Sequence, residues 1–136
     1  MSDAQGAQGR RAVRKRLADL PVDAMAGGVE RRRFTGDALE LIRYDYPAGA
    51  RFATHDHDAE QMTIVLEGAL VFTLPQGEER LQAGDALLIP GGVPHGAYVP
   101  GTAGTDPPTI TLNLFTPVRS HLPSGGATPN ARPGPA

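Results

Sequence analysis

Glycine and proline interrupt the middle of this chain at short intervals, and this punctuation is the strongest constraint on its fold. The breaks carry the residues that tight turns require, at positions 47–49, 67–68, 75–77, 83–85 and 90–92. Around them lie short segments rich in apolar and β-branched residues, at 39–46, 51–54, 61–66, 69–74, 79–81, 86–89, 96–99 and 109–115. Many short strands at close spacing predict an all-β sandwich or barrel rather than a βαβ sheet.

The two ends of the chain differ in composition from this central part. Residues 1–21 are polar and basic, and they predict a tail that is disordered or forms a short helix at about 12–20, ended by Pro21. Residues 22–121 carry the strand pattern and form the predicted domain, which has a usual size for one domain. Residues 122–136 are rich in proline and glycine and have too little apolar surface to fold, so a disordered tail is expected.

Composition removes several classes of chemistry. The chain has no cysteine, which excludes disulfides, iron–sulfur clusters, thiolate zinc sites and cysteine nucleophiles. Its single lysine, Lys15, lies in the N-terminal tail, and none of its serines lies in a nucleophile-elbow motif. Histidine, carboxylate and amide side chains are left for chemistry.

Charge and hydropathy limit the expected partners and location. The net charge of −2 gives no reason to expect a nucleic-acid partner, and no apolar run reaches membrane length. The basic residues at 10–16 could contact nucleic acid, but a solvated tail is favoured. A solvated strand edge is likewise favoured for residues 31–33, since alternation puts Arg31 and Arg33 on one face. No signal-peptide hydrophobic region follows the basic N-terminus, which predicts a cytoplasmic protein.

Three of the four histidines indicate a metal site. Side chains alternate faces along an extended strand, so an unbroken strand would aim His55, His57 and Gln61 at one side and Glu60 at the other. This parity predicts Gln61, not Glu60, as a fourth metal ligand, although a bulge between His57 and Glu60 would reverse the choice. His95 follows the rigid Pro90-Gly91-Gly92-Val93-Pro94 turn, which could deliver an imidazole from a neighbouring strand.

These residues resemble the two motifs of the cupin family. Gly49, His55, His57, Gln61 and Gly68 have the spacing of the first motif. The second motif is matched by Gly84, Pro90, Gly92 and His95. The resemblance implies a cupin double-stranded β-helix, a jelly-roll barrel with one metal ion held by His55, His57, Gln61 and His95. Gln61 stands where many cupins have Glu, and Val99 stands where the second motif often has Asn.

Within that family the chain is most similar to the small pectin-degradation cupins, which linearise unsaturated uronates. The resemblance covers the HxHxxxQ pattern and the ending from Asn113 to Arg119. It implies Phe115 and Arg119 as substrate-binding residues, and Arg119 and Asn113 as catalytic positions. Asn113 occupies the position of the family's Asp, and a carboxamide cannot accept a proton as a general base. The polar face of the last strand, formed by Thr109, Thr111, Asn113 and Phe115, is expected to line the barrel mouth.

The neutral ligand set has chemical consequences. Imidazole and amide ligands leave the full charge on one divalent transition metal, which could be Zn, Fe, Ni, Mn or Cu. One hypothesis is an isomerase or lyase that acts on a small, anionic, sugar-acid-like molecule by Lewis-acid catalysis. The alternatives are a metal-dependent dioxygenase and a non-catalytic, ligand-binding or regulatory cupin. Paired chains are common in similar cupins, so a homodimer is one possible oligomeric state.

Overall fold

The computed structural model describes residues 11–118. The strands in this range are β1 (Asp23–Ala24), β2 (Glu30–Thr35), β3 (Glu40–Tyr46), β4 (Arg51–His55), β5 (Glu60–Glu67), β6 (Ala69–Leu74), β7 (Gly77–Gln82), β8 (Ala86–Ile89), β9 (His95–Tyr98) and β10 (Thr109–Thr116). Single 3-10 turns lie at Leu17–Asp19 and Ala26–Gly28. All eight strand segments expected from the sequence are strands, and β1 and β2 add to them. Among residues 11–118, no helix has the length and hydropathy needed to span a membrane.

The strands form two antiparallel sheets. The larger sheet has the order β1-β2-β3-β10-β5-β8, and the smaller sheet has the order β4-β9-β6-β7. Consecutive strands such as β4 and β5 lie in different sheets, so the chain crosses repeatedly between them. This is a jelly-roll arrangement, and it confirms the all-β class predicted from the sequence.

The core lies between the inner faces of the two sheets. Alternate residues of β10 are buried, namely Thr109, Thr111, Asn113 and Phe115, so the predicted inward face of this strand is confirmed. Tyr44 and Tyr46 stack with ring centroids 5.3 Å apart, and both pack against Phe52 from the smaller sheet. The tyrosines are therefore core residues, as alternation along β3 predicts.

The segment between the paired histidines and β5 is not an extended strand. β4 ends at His55 and β5 begins at Glu60, because the chain crosses there from the smaller sheet to the larger one. The Gly92 N–H donates to the His57 carbonyl oxygen at 2.8 Å, which ties the crossing to the 90–92 turn. A Cβ at Gly91 would collide with the Asp58 carbonyl oxygen, so only glycine fits that approach. The premise of an unbroken strand through His57 was therefore wrong.

The N-terminal region also departs from the sequence prediction. In place of a helix over 12–20, the described part has only the turn at Leu17–Asp19, which Pro21 follows. Leu20 is buried, and the Lys15 ammonium lies 4.9 Å from the centre of the Phe34 ring. This segment therefore contacts the sheet. Residues 1–10 and the predicted C-terminal tail at 122–136 lie outside the described residues, so the prediction of disorder for them stays a prediction.

Arg31 corrects the expectation of a solvated arginine edge. Its side chain is buried, with Nε 3.1 Å from the Asp23 carboxylate, while Arg33 is more exposed and lies 3.3 Å from the same carboxylate. The two arginines do share one face of β2, as alternation predicts. Arg31 is buried because β1, which the sequence analysis did not identify, supplies Asp23 opposite it.

Candidate metal centre

Three buried imidazoles converge between the sheets. His55 ends β4, His57 lies in the crossing that follows, and His95 begins β9, directly opposite His55 in the β4–β9 pair. Ring centroids are 4.4 Å apart for His55 and His95, 4.9 Å for His57 and His95, and 5.6 Å for His55 and His57. One ring nitrogen from each residue lies within 4.8 Å of the others, so the three residues are placed to hold a metal ion.

Backbone carbonyls set the protonation of these rings. The Nδ1 atom of each histidine lies within hydrogen-bond distance of a carbonyl oxygen two residues away. The distances are 3.0 Å for His55 to Ala53, 2.9 Å for His57 to Ala59, and 2.8 Å for His95 to Val93. A carbonyl can only accept, so Nδ1 carries a proton, and in the neutral imidazole Nε2 carries the lone pair that a metal would use. Such anchoring is typical of metal-ligating histidines.

Gln61 adds a fourth donor atom. Its amide N–H donates to the Thr63 hydroxyl at 2.9 Å, so its Oε1 faces His57, with 3.0 Å between Oε1 and His57 Nε2. With His57 neutral and protonated on Nδ1, both facing atoms carry lone pairs. A cation bound by both atoms would remove the repulsion between their lone pairs. The donor set therefore fits a divalent transition metal.

A directional hydrogen-bond network holds the Gln61 amide in this orientation. The Thr63 hydroxyl accepts from Gln61 and donates to Asn113 Oδ1 at 2.6 Å. The Gln61 amide also lies 3.4 Å from Asn113 Oδ1, and Asn113 Nδ2 donates to Thr111 Oγ1 at 2.9 Å. Because Asn113 accepts from Thr63 and donates to Thr111, the amide at position 113 matches its surroundings. Asn113 thus lies beside the candidate ligand Gln61, and sequence reasoning did not identify Thr63.

The other expected site residues are placed as follows. Phe115 is buried, and its ring meets the His57 ring edge-on at 5.7 Å. Glu60 is exposed on β5, whereas Gln61 points inward. Arg119 lies outside the described residues, so its predicted roles in catalysis and substrate binding stay predictions. The expected site residues that are described meet around one centre, and Glu60 faces outward, as parity predicts.

Aromatic and aliphatic side chains enclose the centre. A cavity of about 30 Å³ is lined by His55, His95, Gln61, Asn113 and Phe115, together with Tyr44, Tyr46, Phe52, Leu70, Phe72, Gly96 and Ala97. Residues 52, 70 and 72 were missed as site residues, because their apolar alternation marks them only as core. None of the described lining residues is a carboxylate.

The Tyr46 phenol is hydrogen-bonded to Thr111 and Asn113 of this network. Burial raises the pKa of the Tyr46 phenol far above its ordinary value of 10.0, and the neighbouring Tyr44 raises it further. Hydrogen bonds to Thr111 and Asn113 lower the pKa by less than these effects raise it. Tyr46 therefore keeps its proton at neutral pH and cannot replace the missing Asp as a general base.

The two-sheet barrel and its inward-facing histidines indicate the class of protein that the chain resembles. Residues 42–105 match the cupin domain family, and this span contains His55, His57, Gln61 and His95. The cupin fold expected from the sequence motifs is confirmed.

Solved structures give more particular similarities. An RmlC-like cupin from Shewanella frigidimarina and KdgF from a Halomonas species are each 25% identical to this chain, with a TM-score of 0.67. Both alignments cover 76% of this chain, and they cover 88% and 91% of the respective relatives. The polyketide cyclase RemF from Streptomyces resistomycificus is 24% identical, with a TM-score of 0.65, 79% of this chain covered and 80% of RemF covered. No curated protein matches the chain in sequence.

Proposed function

We propose that this cupin is a metal-dependent enzyme that acts on a small, anionic, oxygen-rich molecule by isomerase- or lyase-type chemistry. The observation that carries the proposal is the convergence of His55, His57, His95 and Gln61, with every Nδ1 tied to a backbone carbonyl. These four residues would hold one divalent transition metal. Its identity is open among the metals that suit imidazole ligands.

The neutral donor set favours an anionic substrate. A carboxylate ligand would cancel half of a divalent charge, whereas three imidazoles and an amide cancel none of it. The metal, when bound, supplies Lewis acidity toward a carbonyl or carboxylate oxygen. Phe115 packs on His57, and Phe52 and Phe72 of the smaller sheet line the same cavity, so aromatic rings would surround that oxygen.

A sugar-acid substrate is the most specific form of the proposal. KdgF, a pectin-degradation cupin, is among the structural relatives. The HxHxxxQ pattern, Phe115 and Arg119 are the positions that this chain has in common with that type of cupin. Arg119 would pair with the substrate carboxylate through two parallel N–H···O bonds.

A specific observation also supports a second candidate, a ligand-binding cupin without turnover. The described lining of the cavity has no carboxylate, Asn113 replaces the family Asp, and Tyr46 keeps its proton. Proton abstraction from a sugar acid would then lack an evident base among residues 11–118. A dioxygenase, which binds dioxygen at the metal, is the remaining alternative.

Metal analysis followed by assays separates these candidates. The purified full chain should carry about one transition-metal ion, and loss of unsaturated-uronate absorbance should report isomerase activity. Turnover that needs air would indicate a dioxygenase, and tight uronate binding without turnover would indicate a ligand-binding protein. A metal-loaded protein that neither binds nor converts uronates or related keto acids would refute the sugar-acid proposal.

A further inference from the structure

Tyr46 is a buried phenol to which the proposed chemistry gives no role. The residue is 5% exposed, and its ring stacks on Tyr44 at 5.3 Å and meets the Phe52 ring edge-on at 5.2 Å. These contacts hold the ring from both sheets, so its hydroxyl has a defined position. Tyr46 lines the same cavity as His55 and Gln61, which places it beside the candidate metal centre.

The Asn113 amide faces Tyr46 as a hydrogen-bond donor. Its Oδ1 accepts from the Thr63 hydroxyl at 2.6 Å and lies 3.4 Å from the Gln61 amide nitrogen, so both lone pairs of this oxygen face donors. Asn113 Nδ2 donates one proton to Thr111 Oγ1 at 2.9 Å. The second amide proton is therefore the one available to the hydrogen bond between Asn113 and Tyr46.

Thr111 faces the phenol oxygen in the same way. The hydrogen bonds from Thr111 and Asn113 both lower the pKa of the Tyr46 phenol, which is the effect of donors that stabilise the phenolate. The Tyr46 oxygen is thus an acceptor in this network, and its own proton is not donated within it. Burial raises the pKa by more than these bonds lower it, so the proton is present at neutral pH.

The cavity is where this proton can be donated. No carboxylate belongs to the described lining, and the side-chain acceptors His55, His95 and Gln61 are the candidate metal ligands. The cavity volume of about 30 Å³ is enough for about two water-sized groups. A molecule bound at the metal in so small a space therefore also meets the wall that contains Tyr46.

We infer that Tyr46 is a substrate-binding residue whose hydroxyl donates a hydrogen bond to an oxygen atom of the metal-bound substrate. The inference rests on the proposed function, since it takes the substrate to be an oxygen-rich anion held at the metal. Two points of attachment, the metal and a neutral donor on β3, select a group with two neighbouring oxygens over a ligand with one. Tyr46 is then a determinant of specificity rather than an acid or a base.

Titration of formate into the Co²⁺-loaded full chain tests the inference. Formate is a small anion with two acceptor oxygens, and the visible absorption of Co²⁺ changes when its ligands change. Tyr46→Phe keeps the ring and its stacking, and it should weaken formate binding by about 10–100-fold, the loss expected for a hydrogen bond to a charged group. Its metal affinity, measured by competition with a chelator, should equal that of the parent.

Tyr98→Phe is the matched control. It removes a phenol oxygen that lies 3.4 Å from the Glu78 carboxylate and outside the cavity lining, so formate should bind to this variant as to the parent. Circular dichroism checks that both variants keep the fold.

Two results would overturn the inference. One is a metal-loaded parent protein whose absorption does not respond to formate. The other is equal formate affinity in Tyr46→Phe and Tyr98→Phe, and a lower metal affinity of Tyr46→Phe in that case would show that Tyr46 only supports Asn113. Formate binding that depends on Tyr46 in a protein without uronate turnover would support the inference and refute only the proposed enzymatic activity.

Discussion

The Nε2 atom of His57 and the Oε1 atom of Gln61 lie 3.0 Å apart, and when His57 is neutral and protonated on Nδ1, both atoms carry lone pairs. The backbone fixes one partner, because His57 Nδ1 is tied to the Ala59 carbonyl. The Thr63 hydroxyl fixes the other, because it takes the Gln61 amide proton. In that tautomer two acceptors face each other, and a bound cation would stabilise this arrangement.

Metal binding should depend on the histidine group. We expect about one transition-metal ion per purified chain and loss of that ion in His57→Ala, because three donors leave the coordination shell incomplete. Elemental analysis measures the ratio. His121→Ala is the matched control, since this histidine lies outside the cupin motifs and should be silent. Stoichiometric metal in a His55→Ala/His57→Ala double variant would contradict the site.

Gln61 and Glu60 should differ sharply. Gln61→Ala removes an inward donor and should weaken metal affinity by about 100-fold or more, since even outer-shell partners contribute 10–100-fold. Glu60→Ala changes an exposed side chain and should leave the affinity unchanged. Competition with a metal chelator measures both affinities. The reverse ranking would show that Gln61 is not the ligand.

Thr63 should act through the orientation of Gln61. Thr63→Val keeps the shape but removes the hydroxyl, so the Gln61 amide loses its acceptor and Asn113 loses a donor. We expect metal affinity to fall by about 10–100-fold and stability to fall by about 1–3 kcal/mol. Thr63→Ser restores the hydroxyl and should recover the affinity. A Thr63→Val protein with lower stability but parental affinity would assign Thr63 a purely structural role.

The Asn113→Asp variant tests whether the parent protein lacks a general base at position 113. The new carboxylate would accept the Thr63 hydrogen bond and provide a proton acceptor beside the centre. If the parent protein lacks only a general base for this reaction, uronate turnover in the Asn113→Asp variant should rise by about 10²–10⁴-fold. Arg119→Lys should lower turnover, since an ammonium cannot form the paired contact with a carboxylate. No activity in the parent or in either variant, with metal fully loaded, would remove the isomerase proposal.

Alkaline pH should destabilise the protein through Tyr46. Its pKa is raised by burial in the folded state, while the unfolded phenol titrates near 10.0. The unfolded state therefore releases its proton first, and the contribution of Tyr46 to stability, intact below pH 10, is lost as pH rises above it. The expected slope is about 1.4 kcal/mol per pH unit. Denaturant unfolding of the parent and Tyr46→Phe measures it, and equal slopes in the two proteins would refute the assignment.

Local pattern was enough to predict most of the fold. Turn residues and period-two alternation located eight strands, and the polar parity of β10 placed Asn113 and Phe115 on the inward face. These features depend on residues close in the chain, so they can be read without knowing the pairing of the strands. The same alternation made Phe52 and Phe72 visible only as core residues, because a cavity wall and a core have the same pattern.

Features that depend on distant partners could not be predicted. Arg31 was expected at a solvated edge because Asp23, its partner on β1, belongs to a strand of two residues with no pattern of its own. The inward position of Gln61 was predicted from an unbroken strand, yet the chain leaves the smaller sheet at His55 and enters the larger one at Glu60. Gln61 does point inward, as expected, but the chain between His55 and Glu60 does not follow the assumed unbroken strand.

The sequence by itself determined which donor atoms this protein can offer and that they are neutral, because imidazole and amide chemistry belongs to the residue types. The tertiary structure decided which of them meet. Pairing of β4 with β9 places His95 opposite His55, and pairing of β10 with β5 brings Asn113 within 3.4 Å of Gln61 across 52 residues of chain. Strand register is set by hydrogen bonds and burial between distant segments, and a shift of one residue would turn each of these side chains to the opposite face.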